Sequence, residues 1–321
     1  MMIKIGVIGA GHLGKIHLKL LNSSNKYDLI GFYDTDIKTS KHLSKKEGYN
    51  YFSNLETLLD NVEAVDIVSP TSTHHEIAKN VILKNKHVFI EKPLTDKTIH
   101  AKELIELSKK YNVVGQVGHV ERFNPAYVAA INHIDNPMFI ESHRLSDFNP
   151  RGNDVSVIMD LMIHDIDIVL NTVKSKVKQI NASGVSIVSD SPDIANARIE
   201  FENKCVANLT ASRISLKKMR KTRIFQNDAY ISIDFLEKEL QIVKIKDADK
   251  SSSNLSMVIK TNSGKDKVIY FENPEILEEN SILNELESFA ESINNKTITK
   301  VTLLDGYEAV AVANEIMDQI Q

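Results

Sequence analysis

Asp160 and His164 stand four residues apart in the run DLMIHDID (160–167), where Leu161, Met162, Ile163, Ile166 and Ile168 have the composition of a buried helix. At about 100° per residue, positions i, i+4 and i+7 put Asp160, His164 and Asp167 on one narrow helix face. A histidine titrates near neutrality, so this is a residue type able to take up and release a proton, with a carboxylate beside it to bind or orient a polar partner. Asp167, at i+3 from His164, is spaced either to fix the ring tautomer or to cap and pair elsewhere. Asp165 points off that face and reads as structural. The competing reading of His164 is a satisfied core histidine without chemistry.

Glu91-Lys92-Pro93 ends the apolar run HVFI (87–90). Proline holds the preceding Lys92 extended. At the carboxyl edge of a parallel strand the lysine faces the crevice where ligands bind, and its charge can polarise an oxygen there. A solvated surface lysine is the alternative.

Gly9-Ala10-Gly11-His12-Leu13-Gly14 follows the β-rich run 3–8 and opens a helical pattern. Gly9 suits a tight turn, Gly11 lets a pyrophosphate approach the backbone, and Gly14 lets helix and strand pack closely. The helix N-terminus, with His12 and Leu13 in its first turn, offers N–H groups and partial positive charge to phosphates. Asp34 lies about the expected ~20 residues beyond the motif, placed to bind ribose hydroxyls and repel a 2′-phosphate, which favours NAD over NADP. Turn or capping duty is the alternative for Asp34 and the expected one for Asp36. In SPTSTHHE (69–76), Thr73 and Glu76 have capping-box spacing, while Pro70, Thr71 and His74 are candidates for the nicotinamide side. Glu91 joins them as a cofactor candidate.

These residues need a scaffold, and the pattern supplies two. Short β-rich runs at 3–8, 29–33, 64–68, 87–90 and 112–118 alternate with helical patterns from 12, 37, 73 and 95. That alternation predicts βαβ units and a doubly wound parallel sheet, an α/β Rossmann domain over 1–119. Beyond it, a helical segment (154–171) precedes strands within 179–189, 195–203, 205–215, 222–235 and 240–246. Polar turns between them predict a C-terminal α+β domain, 120–321, with a large, mostly antiparallel sheet. DADKSSSN (247–254) reads as a hairpin tip, and helices are expected over 276–293 and 303–320, the last able to pack back on the Rossmann domain.

A chain of 321 residues can bury two cores, and a net charge of −4 gives no global field favouring nucleic acid or an anionic membrane. The basic run KKMRKTR (217–223) lacks interleaved aromatics, so a solvated strand edge is expected rather than a nucleic-acid site. Cys205 is the sole cysteine, which excludes an internal disulfide or multi-cysteine metal site and fits a reducing cytoplasm. No metal is expected. No run of ~18 apolar residues or signal-like leader is seen, so no membrane association is expected.

GAGHLG, PTSTHHEIA, EKP, the Asp160-xxx-His164 pair and DGYEAVAVANEI (305–316), in that order, resemble the glucose-fructose oxidoreductase / inositol dehydrogenase / MocA (Gfo/Idh/MocA) family over nearly the whole chain. The resemblance implies an NAD(P)-dependent oxidoreductase acting on a sugar or cyclitol hydroxyl, assembled as a homodimer or homotetramer. It implies that Lys92 touches the reacting oxygen, His164 exchanges the hydroxyl proton and Asp160 aids binding or orientation. A hydroxyl that loses a hydride to nicotinamide must also lose a proton, and histidine suits that task.

GHVERFNPA (118–126) and HRLSDFNPRGNDVSVIMDLMIHDID (143–167) resemble the subgroup that oxidises the C3 hydroxyl of UDP-N-acetylglucosamine ahead of amination for cell-envelope saccharides of the lipid A type. Arginine's planar fork suits phosphate, so Arg122, Arg144 and Arg151, with Asn124, are candidate substrate contacts. Fixed ion pairs are the alternative, favoured for Arg213, Arg220 and Arg223. Alternative functions are dehydrogenation of another sugar, an inositol or a UDP-sugar acid, an NAD-using glycosidase, and a non-catalytic dinucleotide sensor.

Overall fold

A computed structural model describes residues 1–148, 155–247, 257–259 and 266–320. The chain forms two compact units, Met1–Phe123 with Asn280–Ala311, and Asn124–Glu279 with the residues from Val312 onward.

In the first unit, β1 (Ile3–Ile8), α1 (His12–Ser23), β2 (Tyr27–Tyr33), α2 (Ile37–Glu47), α3 (Leu55–Asp60), β3 (Ala64–Ile67), α4 (Thr71–Leu83), β4 (His87–Glu91), α5 (Thr98–Tyr111) and β5 (Gly115–Gly118) follow in order. The strands make a parallel sheet, β2-β1-β3-β4-β5, so the winding direction reverses beside β1. Helices on both faces bury the central strands from two sides, which is why β3 and β4 read as continuous apolar runs. The late helix α8 (Ser281–Asn295) belongs to this unit: Leu286, Phe289 and Ala290 share a core with Ile5, Leu18, Tyr27 and Phe89. Its fully buried Phe289 contributes roughly 1.5–3 kcal/mol of burial. α8 starts at Ser281 rather than near 276, because the Asn280 side chain accepts from the Ile282 and Leu283 N–H groups.

The start of α9 (Leu303–Ile320) also packs on this unit, with Leu303 against Gly115 and Gly306 against Val117 and Leu94. An added Cβ would lie 2.8 Å from Leu303 at Gly115, and 2.7 Å from Val117 and 3.1 Å from Leu94 at Gly306. The compact unit therefore reassembles an N-terminal stretch and a late one, where sequence alternation alone marks a single boundary near 119.

The second unit holds α6 (Pro125–Ala130), β6 (Phe139–Leu145), a π-helical turn (Ile158–Met162), α7 (Ile163–Val173), β7 (Val177–Val185), β8 (Ile194–Phe201), β9 (Val206–Ser212), β10 (Met219–Phe225), β11 (Ala229–Asp234), β12 (Glu239–Asp247), β13 (Met257–Ile259) and β14 (Lys267–Glu272). Among the described residues they form a nine-stranded sheet, β13-β14-β12-β11-β10-β6-β9-β8-β7, antiparallel except for the β6–β9 pair. Strict in–out alternation, as in β6, buries one face, with Ile140, Ala207, Ile224, Ile231 and Ile242 inward. The stretch 222–235 is two strands joined by a tight turn, Gln226 N donating to the Ala229 carbonyl, with Asn227 and Asp228, residues that favour turns, at its centre. The expected hairpin tip lies, beyond Asp247, outside the described residues.

Candidate active site

The glycine turn has the geometry its sequence predicts. Gly9 has φ +101°, and a Cβ there would lie 2.8 Å from the Val68 carbonyl and the Ser69 nitrogen. A Cβ on Gly14 would come within 2.0 Å of the Gly9 oxygen, whereas Gly11 faces open space. α1 begins at His12 without a side-chain cap, leaving its first-turn N–H groups to a ligand anion. His12 is exposed and Leu13 half-buried. Asp34, just past β2, accepts from Ala10 N at 2.6 Å and from Asp36 N at 2.8 Å, so its carboxylate sits against the glycine turn. Asp36 caps α2, and the Thr39 hydroxyl and amide hold its carboxyl below the usual range. A close glycine cradle, an uncapped helix start and an adjacent carboxylate fit NAD.

α4 starts two residues before the expected position, with Pro70 as N-cap, which corrects the capping box: Thr73 is inside the helix. Its hydroxyl donates to the Pro70 carbonyl at 2.7 Å and meets Ser69 Oγ at 2.7 Å. Pro70 is exposed and Thr71 half-buried at this helix start. His74 is 1% exposed, with Nε2 2.8 Å from the Ser69 carbonyl and Nδ1 2.9 Å from the Pro93 carbonyl. Burial lowers its pKa. The ring thus ties the loop after β3 to the loop after β4, a positioning duty instead of a direct cofactor contact through its nitrogens.

Lys92 is half-buried at the end of β4, and the Lys92–Pro93 peptide is cis. The Lys92 N–H donates to its neighbour Glu91, at Oε2, over 3.0 Å. Room for the Glu91 carboxyl comes from Gly118, where a Cβ would sit 2.8 Å from it. Behind Glu91 lies a buried pair that sequence reading missed. His17 Nδ1 is 2.8 Å from Asp66 Oδ2, and His17 Nε2 is 3.4 Å from Glu91 Oε1. The available signal was Asp66 inside the apolar run AVDIV and His17 on the apolar stripe of α1, since ionisable groups placed for burial require partners.

In the second unit, Asp160 lies in the π-helical turn and is exposed, while His164 is half-buried in the first turn of α7. Asp160 N donates to the Ser156 carbonyl at 2.9 Å, and Met159 N to Ser156 Oγ at 3.2 Å. Exposure falls along the expected face until Asp167, 1% exposed, is inside the unit, which corrects the single polar face. Asp165 anchors α7 by a bidentate pair with Arg144, at 2.9 Å from Nε and 3.2 Å from Nη2.

That pair also corrects the substrate candidates. Arg144 is 2% exposed and committed to Asp165. Arg122 reaches the Lys300 carbonyl at 3.2 Å and Asp305 at 3.2 Å. Burial would raise the Asp305 pKa, but Arg122 and Thr302 hold it below the usual range. Asn124 is a buried helix cap, accepting from Ala126 N and donating to the Phe235 carbonyl. Arg151 lies outside the described residues. Fixed pairing is seen for Arg213, with the Val155 and Pro192 carbonyls, and for Arg223, with Glu141.

Residues 3–119 match the oxidoreductase family with an NAD-binding Rossmann fold, and residues 127–232 match the GFO/IDH/MocA C-terminal domain. The chain is 37% identical over 242 residues to UDP-N-acetylglucosamine 3-dehydrogenase of Acidithiobacillus ferrooxidans, covering 75% of this chain and 76% of that protein. It is 29% identical to scyllo-inositol 2-dehydrogenase (NAD(+)) of Bacillus subtilis, over 66% of this chain and 68% of that one. A solved structure of the Acidithiobacillus ferrooxidans enzyme superposes with a TM-score of 0.89 at 30% identity, covering 100% of this chain and 98% of that chain. Scyllo-inositol dehydrogenase of Lactobacillus casei, with NAD(H) and scyllo-inositol bound, shares the fold at a TM-score of 0.79 and 21% identity, over 100% of this chain and 97% of that one. With its glycine cradle, its Glu91-Lys92-Pro93 loop and both halves matched, the chain belongs to the Gfo/Idh/MocA family of NAD-dependent oxidoreductases.

Proposed function

We propose that this protein oxidises the C3 hydroxyl of UDP-N-acetylglucosamine to a ketone, using NAD, for cell-envelope saccharide synthesis of the lipid A type. The observation that carries the reading is the likeness of the whole chain to UDP-N-acetylglucosamine 3-dehydrogenase of Acidithiobacillus ferrooxidans in sequence and backbone. In this reading His164 accepts the hydroxyl proton, Lys92 stabilises negative charge developing on the oxygen, and Asp160 binds or orients the sugar. Bound NAD supplies the acceptor for the hydride leaving C3. The turn Gly9–Gly14 and the start of α1 hold the pyrophosphate, and Asp34 takes the ribose hydroxyls. Pro70, Thr71 and Glu91 shape the nicotinamide side. Arg151 is the arginine proposed for the substrate diphosphate.

The test is NADH formation by the purified protein across UDP-sugars, UDP-sugar acids, free sugars and inositols. UDP-N-acetylglucosamine is expected to be the best substrate and its product a ketone by mass. Faster turnover of an inositol or free sugar would overturn the substrate assignment, and NAD binding without turnover on any of them would favour a sensor.

The protein is further proposed to work as a homo-oligomer in the cytoplasm. One face of the second-unit sheet carries Val206, Phe139, Phe225, Tyr230, Val243 and Phe271 in direct cross-strand register over six strands, all half-buried or exposed. An apolar ladder of this length supports self-association through a two-fold contact. The single Cys205 fits a reducing compartment. Sedimentation is expected to show an oligomer that Phe271→Asp with Phe225→Asp dissociates, and a monomeric wild type would refute this.

A further inference from the structure

His17, Asp66 and Glu91 form a buried acid–histidine–acid array directly beneath Lys92. His17 and Asp66 are both 0% exposed and Glu91 is 8% exposed. They come from three elements, α1, β3 and β4, that the fold brings side by side at the carboxyl end of the sheet. Both ring nitrogens face carboxylate oxygens, at 2.8 Å for Asp66 and 3.4 Å for Glu91. Nδ1 is hydrogen-bonded to Asp66, whereas Nε2 faces Glu91 without completing a hydrogen bond. A neutral imidazole has one N–H, so beside two ionised carboxylates it would set a lone pair against one of them, and the doubly protonated ring is the form that turns an N–H toward each. The remaining Glu91 oxygen accepts the Lys92 N–H, and His74 meets the Pro93 carbonyl from the other side.

We propose that His17 is a positioning residue: as a buried imidazolium between Asp66 and Glu91, it holds the Glu91 carboxylate in place and so fixes the Lys92 backbone. This rests on the reading of Lys92 as the catalytic lysine. Ionisable groups facing the array include Tyr27 of β2, whose hydroxyl donates to the Leu286 carbonyl, beside Asp66, and His74 of α4 beside Glu91. Burial alone would lower the His17 pKa, but the two carboxylates outweigh it and raise it well above the ordinary value. For Asp66, burial outweighs His17 and raises the carboxyl.

The experiment uses the full chain labelled with 15N, with His17 resonances assigned by their loss in His17→Gln. Both His17 ring nitrogens are expected to be protonated at pH 7.5. In Asp66→Asn the ring is expected to deprotonate at least tenfold more readily, and the Lys92 amide resonance to titrate with the same midpoint. A neutral His17 ring in the wild type at pH 7.5, or a Lys92 amide indifferent to the His17 titration, would overturn the proposal. Neither readout needs a sugar substrate, so an inactive wild type would sink the function assigned above and leave the test of His17 intact. With an active wild type, Asp66→Asn is expected to gain an alkaline fall in kcat of about tenfold per pH unit with little change in KM for NAD. A kcat profile identical to that of the wild type overturns the link from His17 to Lys92.

Discussion

The two units each hold candidate catalytic groups at an accessible position, and they do so by different means. In the parallel-sheet unit Lys92 ends a buried strand, and the groups around it grip backbone: Glu91 takes the Lys92 N–H and His74 meets the Pro93 carbonyl. In the other unit Asp160 and His164 sit where a π-helical turn runs into α7, and what is held is the helix, by the buried Arg144–Asp165 pair. A strand end has no continuing ladder to fix the next residues, so side chains must supply the bonds. A helix carries its own hydrogen bonds and needs only an anchor. In both units, then, anchoring charges and candidate catalytic groups are separate residues, even where they are neighbours in sequence.

Replacing the groups assigned to the chemistry gives the largest effect. Lys92→Ala and His164→Ala are each expected to lower kcat by about 10²–10⁴-fold while NAD affinity, read by fluorescence titration, changes little. Next comes the anchor of α7. Asp165→Ala leaves the buried Arg144 without its partner and is expected to destabilise by ~3–5 kcal/mol in denaturant unfolding. Replacing both residues by apolar ones of similar volume is expected to restore most of that stability. If Asp165→Ala instead raised KM for the sugar nucleotide with no loss of stability, the separation of anchor from site would fail.

A smaller effect is expected from Gly118→Ala, whose Cβ would meet the Glu91 carboxyl at 2.8 Å. Overpacking of about 1–3 kcal/mol should appear in unfolding, together with a kcat loss that a remote glycine substitution lacks. The smallest is a pH effect with a definite sign. The folded pKa of His17 is raised above its unfolded value, so its contribution to stability is fully present below about pH 6.5 and is lost as pH rises through the folded pKa. Unfolding midpoints of wild type and His17→Gln should therefore converge toward alkaline pH, and divergence there would reverse the assignment.

Both sheets were legible in the sequence, because a period of two and continuous apolar runs each leave a direct mark. β6, β13 and β14 are not evident in the sequence pattern; in β6 the inward positions include Ser142 and Arg144, polar residues that break it. The glycine turn was legible residue by residue, as only glycine meets the steric demand at Gly9 and Gly14. The roles of Arg122, Asn124 and Arg144 were not, because a guanidinium or amide looks the same in sequence whether it meets a phosphate or a buried carboxylate. The array behind Lys92 was hidden for a related reason: His17, Asp66 and Glu91 are far apart in the chain and meet only when the parallel strands align.

The most direct measurement uses UDP-N-acetylglucosamine carrying deuterium at C3, with NAD and purified protein, and follows the isotope. Deuterium is expected in the reduced cofactor made by the wild type, with little reduced cofactor formed by His164→Ala over the same time. Reduced cofactor without deuterium, or equal rates for wild type and variant, would contradict oxidation at C3 by the assigned residues.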